Sequence, residues 1–150
     1  MSFSFRQIVC DTADHAAMLD LRERILRRPL GLVVTPAEIA RDGGDYLLGC
    51  FDGAALAGCL ILQKDADGWV KMRQVAVAEN RQGQGIGAQM LAAAEAIVRG
   101  WGYAQIYCHA RETARAFYAQ NGWVVTSDIF DENGIPHCRM EYKISKAATA

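Results

Sequence analysis

The 150-residue chain lacks most of what marks a specialised class. No apolar run reaches the roughly 18 residues a membrane helix needs, so no membrane partner is expected. The formal net charge is only −1, so no excess of one sign favours nucleic acid or an anionic surface. Proline appears three times and no segment is of low complexity, which excludes a disordered linker. The five cysteines, Cys10, Cys50, Cys59, Cys108 and Cys138, include no CxxC pair. Zinc and disulfide frameworks are therefore not expected, and the reading is free, mostly buried thiols in a reducing cytoplasm. The N-terminal Met-Ser-Phe-Ser-Phe-Arg-Gln has no basic flank before an apolar core, so no secretory signal is expected. What remains is an ordinary globular composition, 51% hydrophobic and 22% charged, in a chain of one-domain length. The expectation is one domain over residues 1–150.

Glycine is concentrated where it matters. A β-rich run, Trp69 to Val77, enters a polar loop that closes on Gln82-Gly83-Gln84-Gly85-Ile86-Gly87, and an alanine-rich helix follows at Ala88. Three alternating glycines let the backbone approach a ligand. The helix start adds a partial positive charge. Together they predict an anion cradle for a phosphate or pyrophosphate. A flexible turn is the plainer alternative. A Walker loop is excluded, because no Lys-Ser/Thr pair follows Gly87. The letters also fit a dinucleotide fingerprint through Gly83, Gly85 and Ala88, but five residues, Ala78–Gln82, separate strand from glycines.

The remaining scan, Gln82-x-x-Gly85-x-Gly87, resembles the pyrophosphate loop of the GNAT N-acetyltransferase superfamily. A second segment, Ala114 to Trp123 with Phe117-Tyr118 and Gly122, resembles the later helix of that superfamily. Arg27-Arg28-Pro29-Leu30-Gly31 and Asp131-Glu132-Asn133-Gly134-Ile135-Pro136-His137 resemble its ElaA/YjcF-like branch. The resemblance implies acetyl transfer from the cosubstrate acetyl-CoA to an amine on a small molecule or peptide, without a metal. It implies pyrophosphate binding by Gln82, Gly83, Gln84, Gly85, Ile86, Gly87 and Ala88. Backbone groups of Val75, Ala76 and Val77 would serve the pantetheine arm and the thioester carbonyl. Tyr118 would be the general acid, whereas as an isolated Phe-Tyr it would read as packed aromatics. The general base is not legible: His137 and His109 are candidates because imidazole titrates near neutrality, while His15 reads as surface. Arg28 and Arg73 are candidates for an acidic group on the acceptor, with ion-paired surface arginine as the plain reading. A non-catalytic acyl-CoA-binding module and a homodimer both stay open.

Periodicity and turn signals predict the order β-α-α-β-β-β-α-β-α-β-β. Helical spacing runs from the cap-type residues Asp11–Asp14 to about Arg27, Thr35-Pro36-Ala37-Glu38 reads as a capping box, and the tail from Ser145 reads as frayed. Asp52-Gly53 and Asp65–Gly68 read as hairpin turns, and Trp123–Phe130 as one strand. The expected architecture is α/β: a mixed sheet flanked by helices on both faces. The resemblance adds splayed central strands.

Overall fold

The computed structural model describes residues 3–144, so the tail expected to fray from Ser145 lies outside them. Within it the chain forms two compact units. One comprises the residues up to Gln63 together with Arg73–Ala94; the other comprises Lys64–Met72 and the residues from Glu95 onward.

The first unit opens with β1, Ser4–Ile8, which pairs antiparallel with β2, Tyr46–Asp52. β2 pairs in turn with β3, Ala55–Lys64, and the strand order continues to β4, Trp69–Val77. Gly53 takes a left-handed φ of 60° in the expected turn. Between β1 and β2 lie α1, Ala13–Arg22, and α2, Pro36–Arg41. Thr12 caps α1 by accepting from the His15 N–H. The capping box on α2 is complete, with Thr35 and Glu38 each satisfying the other's backbone. The long first helix expected to run to Arg27 ends instead at Arg22, and Glu23–Arg27 winds as a π turn. Ile8, Met18, Leu21, Leu47, Phe51, Ile61 and Ala76 form the unit's core. Each fully buried aliphatic among them stabilises by about 1.5–3 kcal/mol. α3, Ile86–Gly100, buries Ile86, Met90 and Ala94 at four-residue spacing. Gly58 on β3 admits Met90, whose sulfur would lie 2.9 Å from any Cβ added there.

The second unit orders its strands β4-β5-β8-β6, with β7 on β8. β5, Gln105–Arg111, runs parallel to β4 over Trp69–Lys71 and antiparallel to β8, Ile135–Lys143. α4, Arg115–Gln120, follows β5. The strand expected over Trp123–Phe130 is broken. β6 is only Val124–Val125 and β7 is Phe130–Glu132; between them Ser127 Oγ bonds to backbone, donating to its neighbour Asp128 O and accepting from Arg139 N on β8. The architecture is thus the expected mixed α/β class, with eight strands rather than seven among the described residues.

Candidate functional site

The glycine loop lies in the first unit. A 3-10 turn, Glu79–Arg81, leads from β4 to Gln82. Gly83 and Gly85 adopt φ of 81° and 79°, a region closed to most side chains. A Cβ built at either position meets nothing within 4 Å, so the loop faces open space. The first bond of α3 runs from Gln89 N to Gly85 O. The N–H groups of Ile86, Gly87 and Ala88 precede it and have no carbonyl a turn earlier to bond. The side chains of the loop turn to its own backbone: Gln82 Nε2 donates to Val77 O at 3.2 Å and Gln84 Nε2 to Asn80 O at 3.4 Å. Gln82 therefore braces the loop against the strand end. These features fit an acyl-CoA pyrophosphate: open space, orphan donors and a helix start.

β4 carries a kink just ahead of Val75–Val77, the stretch read as serving the pantetheine arm. Gln74 holds φ of 55°, uncommon for a residue with a side chain. Its carbonyl accepts from the Cys59 thiol at 3.9 Å, and Ala78 N donates to Ala57 O at 2.8 Å. Arg73 donates to Asp45 at 2.7 Å, so this guanidinium is ion-paired. Arg28 is exposed and lies 3.7 Å from Glu23.

His15, read as a surface residue, is buried at 3% exposure. Its Nδ1 accepts from Asp11 N at 3.1 Å and its Nε2 meets Asp42 at 2.9 Å. Arg22, wholly buried, donates to the same Asp42 oxygen at 2.7 Å. Apolar periodicity alone gave no signal for this network.

In the second unit, Tyr118 on α4 is buried at 6% exposure between Phe117 and Trp123, with ring centroids 5.2 and 5.3 Å away. Its hydroxyl lies beside the Cys108 thiol. Burial first, then Cys108, raises the tyrosine above its ordinary value. Burial likewise pushes Cys108 up to about 12. On the opposite face of β5, Tyr107 and His109 meet an aromatic and charged cluster. Arg139 lies 3.8 Å over the Tyr107 ring, and Asp65 accepts from the Tyr107 hydroxyl. His109 Nδ1 contacts Glu132 at 2.9 Å, and His137 Nε2 stands 3.6 Å from the other Glu132 oxygen. The two histidines thus share one carboxylate. Sequence reasoning gave Glu132 no site role, naming it only within the segment Asp131–His137; the two-residue repeat of a hairpin closing at Asn133-Gly134 was the available signal. Arg111 ends β5 in register with His137.

All five cysteines are free. Among the described residues no His/Cys/Asp/Glu group suits a metal, and no helix is long and apolar enough to cross a membrane.

The profile of the acetyltransferase (GNAT) domain matches residues 33–144. Protein ElaA from Escherichia coli (strain K12) is 27% identical over 114 residues, covering 71% of this chain and 74% of that protein. The crystal structure of E. coli ElaA superposes with a TM-score of 0.75 at 20% identity, over 93% of this chain and 99% of that one. An acetyltransferase from Bacillus subtilis in complex with CoA gives a TM-score of 0.75 at 18% identity, over 96% and 100%. The E. coli ribosomal-protein-S18-alanine N-acetyltransferase gives 0.78 at 18% identity, over 99% and 97%. These likenesses show the fold.

Proposed function

The chain belongs to the GNAT acetyltransferase family, and we propose that it falls in the ElaA-like branch and transfers an acetyl group from acetyl-CoA to a primary amine by direct attack. The carrying observation is the loop Gln82–Ala88. Its left-handed glycines face open space beside the unbonded N–H groups at the start of α3. Those groups hold the pyrophosphate, and the backbone of Val75, Ala76 and Val77 aligns the pantetheine arm. Acetyl-CoA supplies an already activated acyl group, so no nucleophile of the protein is needed. The task left to the residues is positioning and proton transfer.

In this reading Tyr118 gives a proton to the departing thiolate. A free thiol has a pKa of about 8.5, and Tyr118 is raised above its ordinary value. Donation therefore requires the hydroxyl to turn to the thiolate sulfur, a stronger acceptor than the neutral Cys108 thiol beside it. The acceptor is a small-molecule or peptide amine, with Arg28, Arg73, His109 and His137 as candidate contacts and the cytoplasm as the expected compartment.

The burial of Tyr118 beside Cys108 also favours a second reading, an acyl-CoA-binding module without turnover. Calorimetry with CoA and NAD, followed by thiol release from acetyl-CoA across a panel of amines, separates the readings. CoA binding with amine-dependent thiol release supports the transferase. CoA binding without release supports the module. NAD binding without CoA binding overturns both.

A further inference from the structure

The acceptor amine reaches neutral pH as an ammonium ion, and something must take its proton before it can attack. We propose that His109 is that general base and that Glu132 is the residue that positions it. This rests on the acyl-transfer reading above.

The argument begins with the hairpin. Asn133 and Gly134 take φ of 56° and 80°, the paired left-handed conformation that closes a tight two-residue turn. That turn sets Glu132 opposite Ile135 and Phe130 opposite His137. β8 pairs with β5 on its other side, placing His109 opposite Arg139. Glu132 is thereby held against a histidine 23 positions earlier in the chain.

The ring's protonation follows from its partner. An ionised carboxylate only accepts. In the neutral ring the 2.9 Å contact to Glu132 therefore puts the proton on His109 Nδ1 and the lone pair on Nε2. Among the described residues no hydrogen bond engages His109 Nε2, and the side chain is 28% exposed. A carboxylate on one nitrogen and a free lone pair on the other is the arrangement of an oriented imidazole base. His137 is differently placed. Its Nδ1 donates to Ile135 O at 2.9 Å, and the residue is buried at the hairpin. The Phe130 ring packs edge-on to His109 at 5.1 Å and parallel to His137 at 6.2 Å, fixing the His109 plane.

In the proposed step an N–H bond of the ammonium breaks and its proton passes to His109 Nε2. The nitrogen keeps the electron pair and forms the C–N bond as the thioester C–S bond breaks; the departing thiolate takes the Tyr118 proton, and the second proton shed by the acylated nitrogen passes through water to restore the Tyr118 hydroxyl. The imidazolium stays paired with Glu132 until it loses the proton to water. The groups facing His109 are Glu132 on β7, His137 and Arg139 on β8, and Tyr107 on its own strand.

The test pairs kinetics with imidazole nitrogen NMR on the full chain. His109→Gln is expected to lower kcat at neutral pH by at least about tenfold, with acetyl-CoA affinity unchanged. The deficit should shrink as pH rises toward the amine's own pKa, because the acceptor then arrives deprotonated. Glu132→Gln should give a smaller loss and a changed His109 tautomer. NMR of the wild-type protein should show His109 protonated at Nδ1 whether or not turnover is measured. Wild-type turnover that survives His109→Gln across the pH range overturns the proposal alone, as does an Nε2–H tautomer in the wild type. Failure of the wild-type protein to release thiol with any amine overturns the acyl-transfer reading, and the base with it.

Discussion

His15 and His109 each lie 2.9 Å from a carboxylate, one in each unit, yet their surroundings are opposite. At His15 a backbone N–H can only donate, so Nδ1 is the acceptor and Nε2 carries the proton toward Asp42. Both nitrogens are engaged, Arg22 shares the carboxylate, and the group is buried. At His109 one nitrogen is engaged, the other is open, and Glu132 lies on a half-exposed hairpin. A carboxylate beside an imidazole is therefore not a catalytic signature by itself. What distinguishes the two is whether the remaining ring nitrogen is bonded and whether water can reach it. A similar contrast separates the loop glycines, which face open space beside N–H groups with no intrahelical partner, from Tyr118, which is buried against Phe117, Trp123 and Cys108.

The largest expected effect tests the structural side. Asp42→Ala leaves the Arg22 cation buried without its partner and should cost about 3–5 kcal/mol in denaturant unfolding. Glu132→Gln should cost less than about 1 kcal/mol. Equal losses from the two variants would erase the distinction.

Next come the functional losses. Gly85→Asp forces a side chain into a left-handed conformation and brings negative charge to the cradle. CoA affinity should fall by at least about tenfold while the circular-dichroism spectrum stays native. Unchanged affinity in a folded variant removes the cradle. Tyr118→Phe keeps the ring among Phe117 and Trp123 and deletes only the hydroxyl. Turnover should drop by at least about tenfold with little change in acetyl-CoA Kd. Wild-type rates, with chemistry shown to limit turnover, would put Tyr118 with His15 as a structural residue.

The smallest effect concerns Glu38, a third carboxylate with its oxygens engaged. Burial pushes its carboxyl up, but the Thr35 backbone N–H and the Arg27 guanidinium outweigh that and hold it below the ordinary carboxylate value. A depressed folded-state value gives stability that is present above about pH 4.5 and lost as pH falls through the folded value. Glu38→Gln should flatten the acid limb of stability against pH. An unchanged limb would show that Glu38 does not contribute to acid unfolding.

Local features were legible in advance. The capping box at Thr35–Glu38, the turn at Asp52-Gly53 and the helix after Gly85 depend on neighbours within a few positions. Tyr118 and the glycine loop were singled out through resemblance, because each sits in a contiguous motif. The failures share a cause. The early end of α1 at Arg22 goes with a guanidinium bonded to Asp42, 20 residues away. At the break between β6 and β7, Ser127 meets Arg139. Neither leaves a periodic trace.

The sequence by itself determined the α/β class, most of the elements and the glycine loop ahead of α3, since backbone freedom, capping and alternation are written locally. Only the tertiary structure decided which histidine is bonded at both nitrogens and which keeps one open. That choice turns on partners such as Asp42 and Glu132, 27 and 23 positions away, and a ring's chemistry is set by the donor or acceptor that folding brings to its second nitrogen.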